Sequence, residues 1–425
     1  MASFNSTLNE LINDMTARDF IEGVGPAIFP EEEEPMLGNR LFPPLPKRHE
    51  LDFQYIKGAT NQPSIAQIHA PNSVVDTINR DAVELQAGKL FKLGSRMEMD
   101  ETLIRNVLTP RTDAEIQGII DVLYNDVANT QYSVMQRIEK MRIDVLTRGK
   151  IYFTDEGGGG ILPDHMALVD YGMPSENQLF LPGDLPWGGF LTDTTDWLMP
   201  LQEFILDWNY RKGRRIRRII ISPRVFNLLM RNENTKKYLF GAFLTAGITA
   251  TSPGAIPTLG GLNAMMQGAE LPIFEVYGRM YNIDASDERR AVKKRQEYYF
   301  PDNMMVMVPE GPLGNTLYGY TVEEMEIMDS VRYSETQGII TRVHNQVSPI
   351  ARYTESIAYA APSFQYGEFV VQMEVLPAIT RLGAPITGFS AASERIATPQ
   401  ASSRAANTAN AAKNEPTNAK TESDK

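Results

Sequence analysis

The stretch from Thr112 to Arg148 limits what this chain can fold into more than any other. Thr112 and Glu115 form a Thr-x-x-Glu capping box just after Pro110, which marks a helix start. Apolar side chains then recur at Ile116, Ile120, Leu123, Val127, Val134, Ile138, Met141 and Val145. Steps of three, four and seven place them on one stripe, and Gly149 supplies a stop. A helix over this stretch is ~54 Å long at ~1.5 Å per residue. A helix so long, with so narrow a stripe, lies across a sheet and is not packed inside a round core. Its other face is mixed, open either to solvent or to another chain.

The rest of the chain supplies the sheets. "LDFQYIKG" and "SIAQIHAPNS", followed by the charged "VVDTINRDAVELQAGKLF", read as a long hairpin or loop between residues 50 and 108. "KIYFTDEGGGGILPDHMALVDYG" reads as strand, glycine loop, strand. Residues 193 to 213 form an amphipathic helix with Trp197, Leu198, Leu201, Phe204, Ile205 and Trp208 inward. Strand Ile219 to Ile221 ends at Ser222-Pro223, and a helix from Val225 to Met230 follows. Strand Ile273 to Tyr277, the charged connection "DASDERRAVKKRQE" and the apolar strand Met304 to Val308 complete an α/β region between about 193 and 330. "FVVQMEVLP" is the closing strand.

The ends differ from this middle. Residues 6 to 22 suit a short amphipathic helix. Prolines 26, 30, 35, 43, 44 and 46 then favour an extended segment, either a linker or an arm laid on a neighbouring subunit. From Ala391 onward, alanine, serine, threonine, asparagine and charge dominate, so a disordered tail is expected.

Most chemistry is excluded by what the sequence lacks. Cysteine is absent, which removes disulfides, thiolate–zinc sites and cysteine nucleophiles. The 4 histidines, His49, His69, His165 and His344, are too scattered for a ligand motif. The net charge of −12 gives no general attraction to nucleic acid. No secretory signal and no membrane-spanning segment is expected. Glycines 157 to 160 lack the Lys-Ser/Thr of a phosphate loop and read as a hairpin tip. No nucleophile elbow, zincin motif or dinucleotide fingerprint occurs. Glu31 to Glu34 form a solvated charge run, and Glu323-Glu324 a helix N-terminus. Asp302-Asn303 read as turn residues that satisfy backbone groups at a strand start. One alternative function remains: a nucleic-acid-binding module using the basic run Arg211 to Arg218, which also suits a charged lead-in to a buried strand. No catalytic, cofactor-binding or metal-ligating residue is expected, and no cofactor.

The order of these pieces resembles one family. "RRIIISPRVFNLLMRN", "LPIFEVYGRMYN", "YYFPDNMMVMVPEGPLGNTLYGYTVEE", the long helix after an extended loop and "VVQMEVLP" together are similar to the major capsid proteins of tailed bacteriophages, within the lambda capsid protein E-like group. The resemblance covers roughly residues 40 to 380. It implies an α+β fold of the Hong Kong 97 type. The implied division is an N-terminal arm (1–48), an E-loop with flanking strands (49–108), a peripheral domain with a spine helix (109–192), an axial domain (193–330), a return to the peripheral domain (331–390) and a tail (391–425). It also implies hexamers and pentamers of one chain in an icosahedral head around double-stranded DNA, held without sequence-specific contact. The implied partners are copies of the chain, a scaffolding protein, a portal and a decoration protein, with no membrane. The implied locations are the virion and, during assembly, the host cytoplasm.

Overall fold

The computed structural model describes residues 36–57, 84–99, 101, 105, 113–152, 168–245, 258–285, 293–326, 332–336, 338–346, 348 and 350–377. Helix Leu37–Leu41 (α1) leads to strand Asp52–Lys57 (β1), which pairs antiparallel with Glu84–Lys89 (β2). The chain continues as strand Phe91–Met99 (β3) and then as a 36-residue helix, Asp113–Arg148 (α2). Gly149, at φ +68°, ends that helix in the left-handed conformation that glycine tolerates best. Strands Lys150–Tyr152 (β4) and Leu168–Asp170 (β5) form a small hairpin, followed by the two-residue strand Gln178–Leu179 (β6).

Helix Leu198–Lys212 (α3) feeds strand Ile216–Ile221 (β7), then helices Pro223–Arg231 (α4), Glu233–Thr245 (α5) and Leu259–Gly268 (α6). Strand Ile273–Val276 (β8), the hairpin Met280–Ala285 (β9) with Lys293–Tyr298 (β10), and strands Met304–Pro309 (β11) and Asn315–Gly319 (β12) come next. A single-turn helix, Val322–Met325 (α7), precedes strands Arg332–Thr336 (β13), Ile339–Gln346 (β14), Ala351–Ser363 (β15) and Val371–Glu374 (β16).

Two mixed-composition sheets carry the core. The first runs β6-β16-β11-β7-β8. Its register aligns Met373, Met305, Ile221 and Val276 in one row and Val371, Met307, Ile219 and Phe274 in the next. Side chains alternate across a strand, so both rows face the same way. They meet Leu201, Ile205 and Trp208 of α3, Val225 and Leu229 of α4, and Leu262 and Met266 of α6. Each of these buried side chains contributes roughly 1.5–3 kcal/mol. The second sheet is built on the 13-residue β15, which pairs with β14 and β12 and, at Arg352–Ala360, with β3; β13 lies beyond β14.

The long helix joins the two. A seam of hydroxyls and an amide fixes it on the second sheet: Gln131 Nε2 donates to Thr341 Oγ1 at 2.9 Å, Thr341 meets Ser356 at 2.9 Å, and Ser356 donates to Thr130 at 2.9 Å. At its far end Gln372 of the first sheet donates to the Leu146 carbonyl at 2.8 Å, capping a helix terminus that has no partner of its own. The mixed face, expected to be open to solvent or to another chain, is covered at this end by the chain itself. Residues 141 to 147 are buried all round, between the sheets and residues 37–42. The capping box and the side chains of Ile116, Ile120 and Leu123 lie outside the described residues.

Other expectations shift. The two ends of the charged connection before Tyr298 are strands, β9 and β10, paired antiparallel with each other. Two further helices, α5 and α6, occupy a stretch with few sequence signals. The closing strand β16, within the 331–390 segment, pairs in the first sheet, beside β11. Its Val371 and Met373 need the Met305 and Met307 row to be buried. Conversely β12, inside the 193–330 segment, pairs with β15 of the second sheet. Residues 43–48 lie on their own chain: Leu45 N donates to Thr316 O and Arg48 N to Tyr318 O, each at 2.9 Å. Prolines 43, 44 and 46 fit there because an edge segment needs only alternate amides. The stretches 6–22, Glu31–Glu34, 64–73 and 157–160, His69, His165 and the tail lie outside the described residues. The chain to Leu376 is one compact unit, and residues from Pro377 form a second, of which only Pro377 is described.

Candidate functional site

The most elaborate side-chain constellation is a junction without catalytic geometry. Glu139 and Arg142 lie one turn apart on α2 and are 0% and 2% exposed. A buried carboxylate must be paired and hydrogen-bonded to be tolerated. Glu139 meets this requirement fully: Oε1 accepts from Gly38 N at 2.9 Å and from Tyr277 OH at 3.0 Å, and Oε2 faces Arg142 Nη1 at 3.4 Å. Arg142 in turn donates to Asn39 Oδ1 at 2.6 Å and to Thr316 Oγ1 at 2.8 Å, and Thr316 donates to the Phe42 carbonyl at 2.8 Å. Burial, then the Glu139 charge, pushes the Tyr277 phenol far above its ordinary range, so it stays a donor. One ion pair thus ties α1, α2, β12 and the exit of β8 together.

The β11 entry is a second built feature. Ser222 Oγ accepts from Val225 N at 3.1 Å, capping α4, and donates to the Asp302 carbonyl at 2.7 Å. The same serine therefore ends β7 and positions the start of β11. Asn303 does not bond the strand backbone through its side chain as expected; its Nδ2 donates to Glu374 Oε1 at 2.9 Å, locking β11 to β16. Asp302 faces Arg224 at 3.7 Å. Glu323-Glu324 form the expected helix start: Thr321 caps Glu324 N and the Glu324 carboxylate returns to Thr321 N at 2.9 Å.

The basic run is largely spoken for. Arg211 bonds Asp207 at 2.8 Å, Lys212 pairs with Glu176, Arg214 lies over Tyr366 at 4.7 Å, and Arg218 faces Glu275 at 3.4 Å. Acids and rings of the same chain occupy these cations. His49 stacks on Tyr320 at 4.5 Å and His344 lies tilted against Tyr353 at 5.4 Å, so the two belong to no shared ligand set. Among the described residues no group of three or more His, Cys, Asp or Glu could hold a metal ion. No described helix is long and apolar enough to cross a membrane.

Two sheets joined by one long helix, with residues 43–48 docked along β12, suit a subunit made to be repeated. The family model described as Phage major capsid protein E matches residues 31–341. The chain belongs to that family. It is a capsid-forming protein, and the α+β fold of Hong Kong 97 type expected from the sequence follows from that membership. Nothing supports the nucleic-acid-binding alternative built on Arg211 to Arg218. No curated protein matches the sequence significantly. Among solved structures, a chain described as a capsid protein of an E. coli CFT073 prophage is 12% identical, with 80% of this chain and 93% of that one covered and a TM-score of 0.48. The capsid of Myoviridae phage XM1 is 12% identical (82% and 95% covered, TM-score 0.41). The cyanophage A-1(L) capsid is 9% identical (80% and 92% covered, TM-score 0.44). Sequence reasoning missed Glu139 and Arg142, which look like an ordinary surface pair at i,i+3.

Proposed function

We propose that this protein is the major head protein of a tailed phage, assembling as hexamers and pentamers into an icosahedral shell around double-stranded DNA. The family match over residues 31–341 carries the reading. In this reading the first sheet with α3 to α6 forms the axial domain. The second sheet with α2 as spine forms the peripheral domain, drawn from 109–192 and the 331–390 return apart from β6 and β16, which pair in the first sheet. The β1–β2 ribbon is the base of the E-loop, and residues 1–48 are the arm. The protein has a structural and not an enzymatic role. Its partners are further copies, a scaffolding protein, a portal and a decoration protein, and it passes from host cytoplasm to virion. The acidic balance of the chain supports a shell that confines DNA without gripping it.

The test is expression of the chain with and without its scaffolding protein, followed by negative-stain microscopy and sedimentation. Closed particles or ring-shaped capsomers are expected. A chain that stays monomeric under every assembly condition overturns the reading.

A further inference from the structure

The outward face of α3 is built unlike an ordinary solvated helix. Its inward stripe, Leu198, Leu201, Ile205 and Trp208, is buried in the first sheet's core. The opposite side should then be polar. Instead Met199, Leu206 and Tyr210 are 59%, 60% and 90% exposed. Their spacing of seven and four aligns them along one line of the helix. Exposed apolar residues scattered singly mean little, but an ordered row on one face marks a surface that another molecule covers. Tyrosine, which brings a large contact area at small entropy cost, is the residue type most enriched at such centres, with tryptophan and arginine. Arg211 stands beside Tyr210, held by Asp207 at 2.8 Å and lying over the Trp208 ring at 5.6 Å. That guanidinium is already fixed before any partner arrives.

Charge identifies the partner. The row is bordered by Glu203 and Asp207, both exposed. Immediately after α3, on the approach to and edge of β7, Arg215 and Arg217 are exposed as well. The same chain thus offers an apolar row with an acidic border and, a few residues on in sequence, exposed basic side chains. A contact that sets the acidic border of one copy against the basic residues of another satisfies both charges, in a reciprocal two-fold contact as well as in a head-to-tail one, and the head-to-tail form generates rings when the rotation closes. Complementary borders fix register and orientation more than they add affinity.

We propose that the Met199–Leu206–Tyr210 face of α3 is a docking surface for a second copy of this chain, with Glu203 of one copy facing Arg215 and Arg217 of the next. This rests on the capsid reading and adds the surface through which neighbouring copies meet.

The test uses the full chain under conditions in which the wild type gives particles. Tyr210→Ser and Leu206→Asp are expected to fold with unchanged circular dichroism, because neither side chain is buried, and to lower particle yield by about tenfold or more. Glu203→Arg and Arg217→Glu should each lower yield and make it more salt-sensitive, and the double variant Glu203→Arg/Arg217→Glu should recover it. Normal yield from Tyr210→Ser and Leu206→Asp overturns the proposal while leaving the capsid reading intact. Variants that assemble normally alone but no longer respond to scaffolding protein assign the face to that partner and also overturn it. Failure of the wild type itself to assemble overturns the capsid reading and the docking surface with it.

Discussion

Glu139 and Arg142 face each other at 3.4 Å inside the protein, and between them they bind three separate segments of chain to α2. The pair is a fastener with two chemically distinct ends: the carboxylate takes Gly38 and Tyr277, and the guanidinium takes Asn39 and Thr316.

Removing one end strands the other. Arg142→Met leaves Glu139 charged and buried, and a loss of ~3–5 kcal/mol is expected. The double variant Glu139→Leu/Arg142→Met removes both charges and should recover most of that loss. Urea unfolding of capsomers compares the three proteins. Equal destabilisation of single and double variants would show that the packing of residues 36–42, and not the charge, is what the pair maintains.

Gln372 gives a second expectation. Its side chain is the cap of α2, supplied from the other sheet. Gln372→Leu keeps the bulk and leaves the Leu146 carbonyl buried without its donor, at ~1–3 kcal/mol. Thermal unfolding should show a lowered midpoint; an unchanged midpoint would mean that the helix end finds another donor.

Gly314 is a position of close approach. A Cβ there would lie 1.8 Å from the Ser363 carbonyl oxygen, where β12 meets β15. Gly314→Ala must push two backbones apart, and a cost of roughly 3 kcal/mol is expected. Gly311, at φ +93° with nothing within 4 Å, should lose only ~1 kcal/mol as alanine. Soluble yield and melting temperature of the two variants should separate clearly. Similar values for both would refute the steric account.

Acid should weaken the second sheet through Glu323. Burial alone would raise its carboxyl, but hydrogen bonds from its own amide and from Lys92, with the Lys92 and Arg342 charges, outweigh that and hold it below the usual range. A lowered folded value stabilises the protein above the unfolded value and is lost as pH falls below about 4.5, through the folded value. Glu323→Gln should flatten that part of the stability–pH curve. A curve that keeps its slope in the variant would place the acid response elsewhere.

What the sequence revealed follows burial. The α2 stripe from Val127 to Val145 and the strands β7 and β11 are largely buried, and each is readable from spacing or from a short apolar run. The sequence of the β9–β10 hairpin is charged and carries no alternation of polar and apolar residues. Helix α6, "LGGLNAMMQG", hides behind glycines, and only the Thr258 cap on Gly261 N at 3.2 Å signals its start. Glu139 and Arg142 were unreadable for a different reason. Their role comes from segments far away in sequence, and local spacing suggests only a surface pair. The basic run left two readings open for a similar reason: Asp207 is a local partner of Arg211, but Glu176, Glu275 and Tyr366 become neighbours of the run only after folding.

The docking of residues 43–48 along β12 has a consequence for many copies at high local concentration. An unpaired strand border is a template for any passing strand, and crowded identical chains are the most frequent passers-by. Here the border is occupied by the protein's own leader, rich in proline and therefore poor in further amides to offer. Each newly made chain arrives with this seam already closed. Stray stitching of one chain to another at that border, which would lead to tangled aggregates, is blocked before the first correct neighbour arrives.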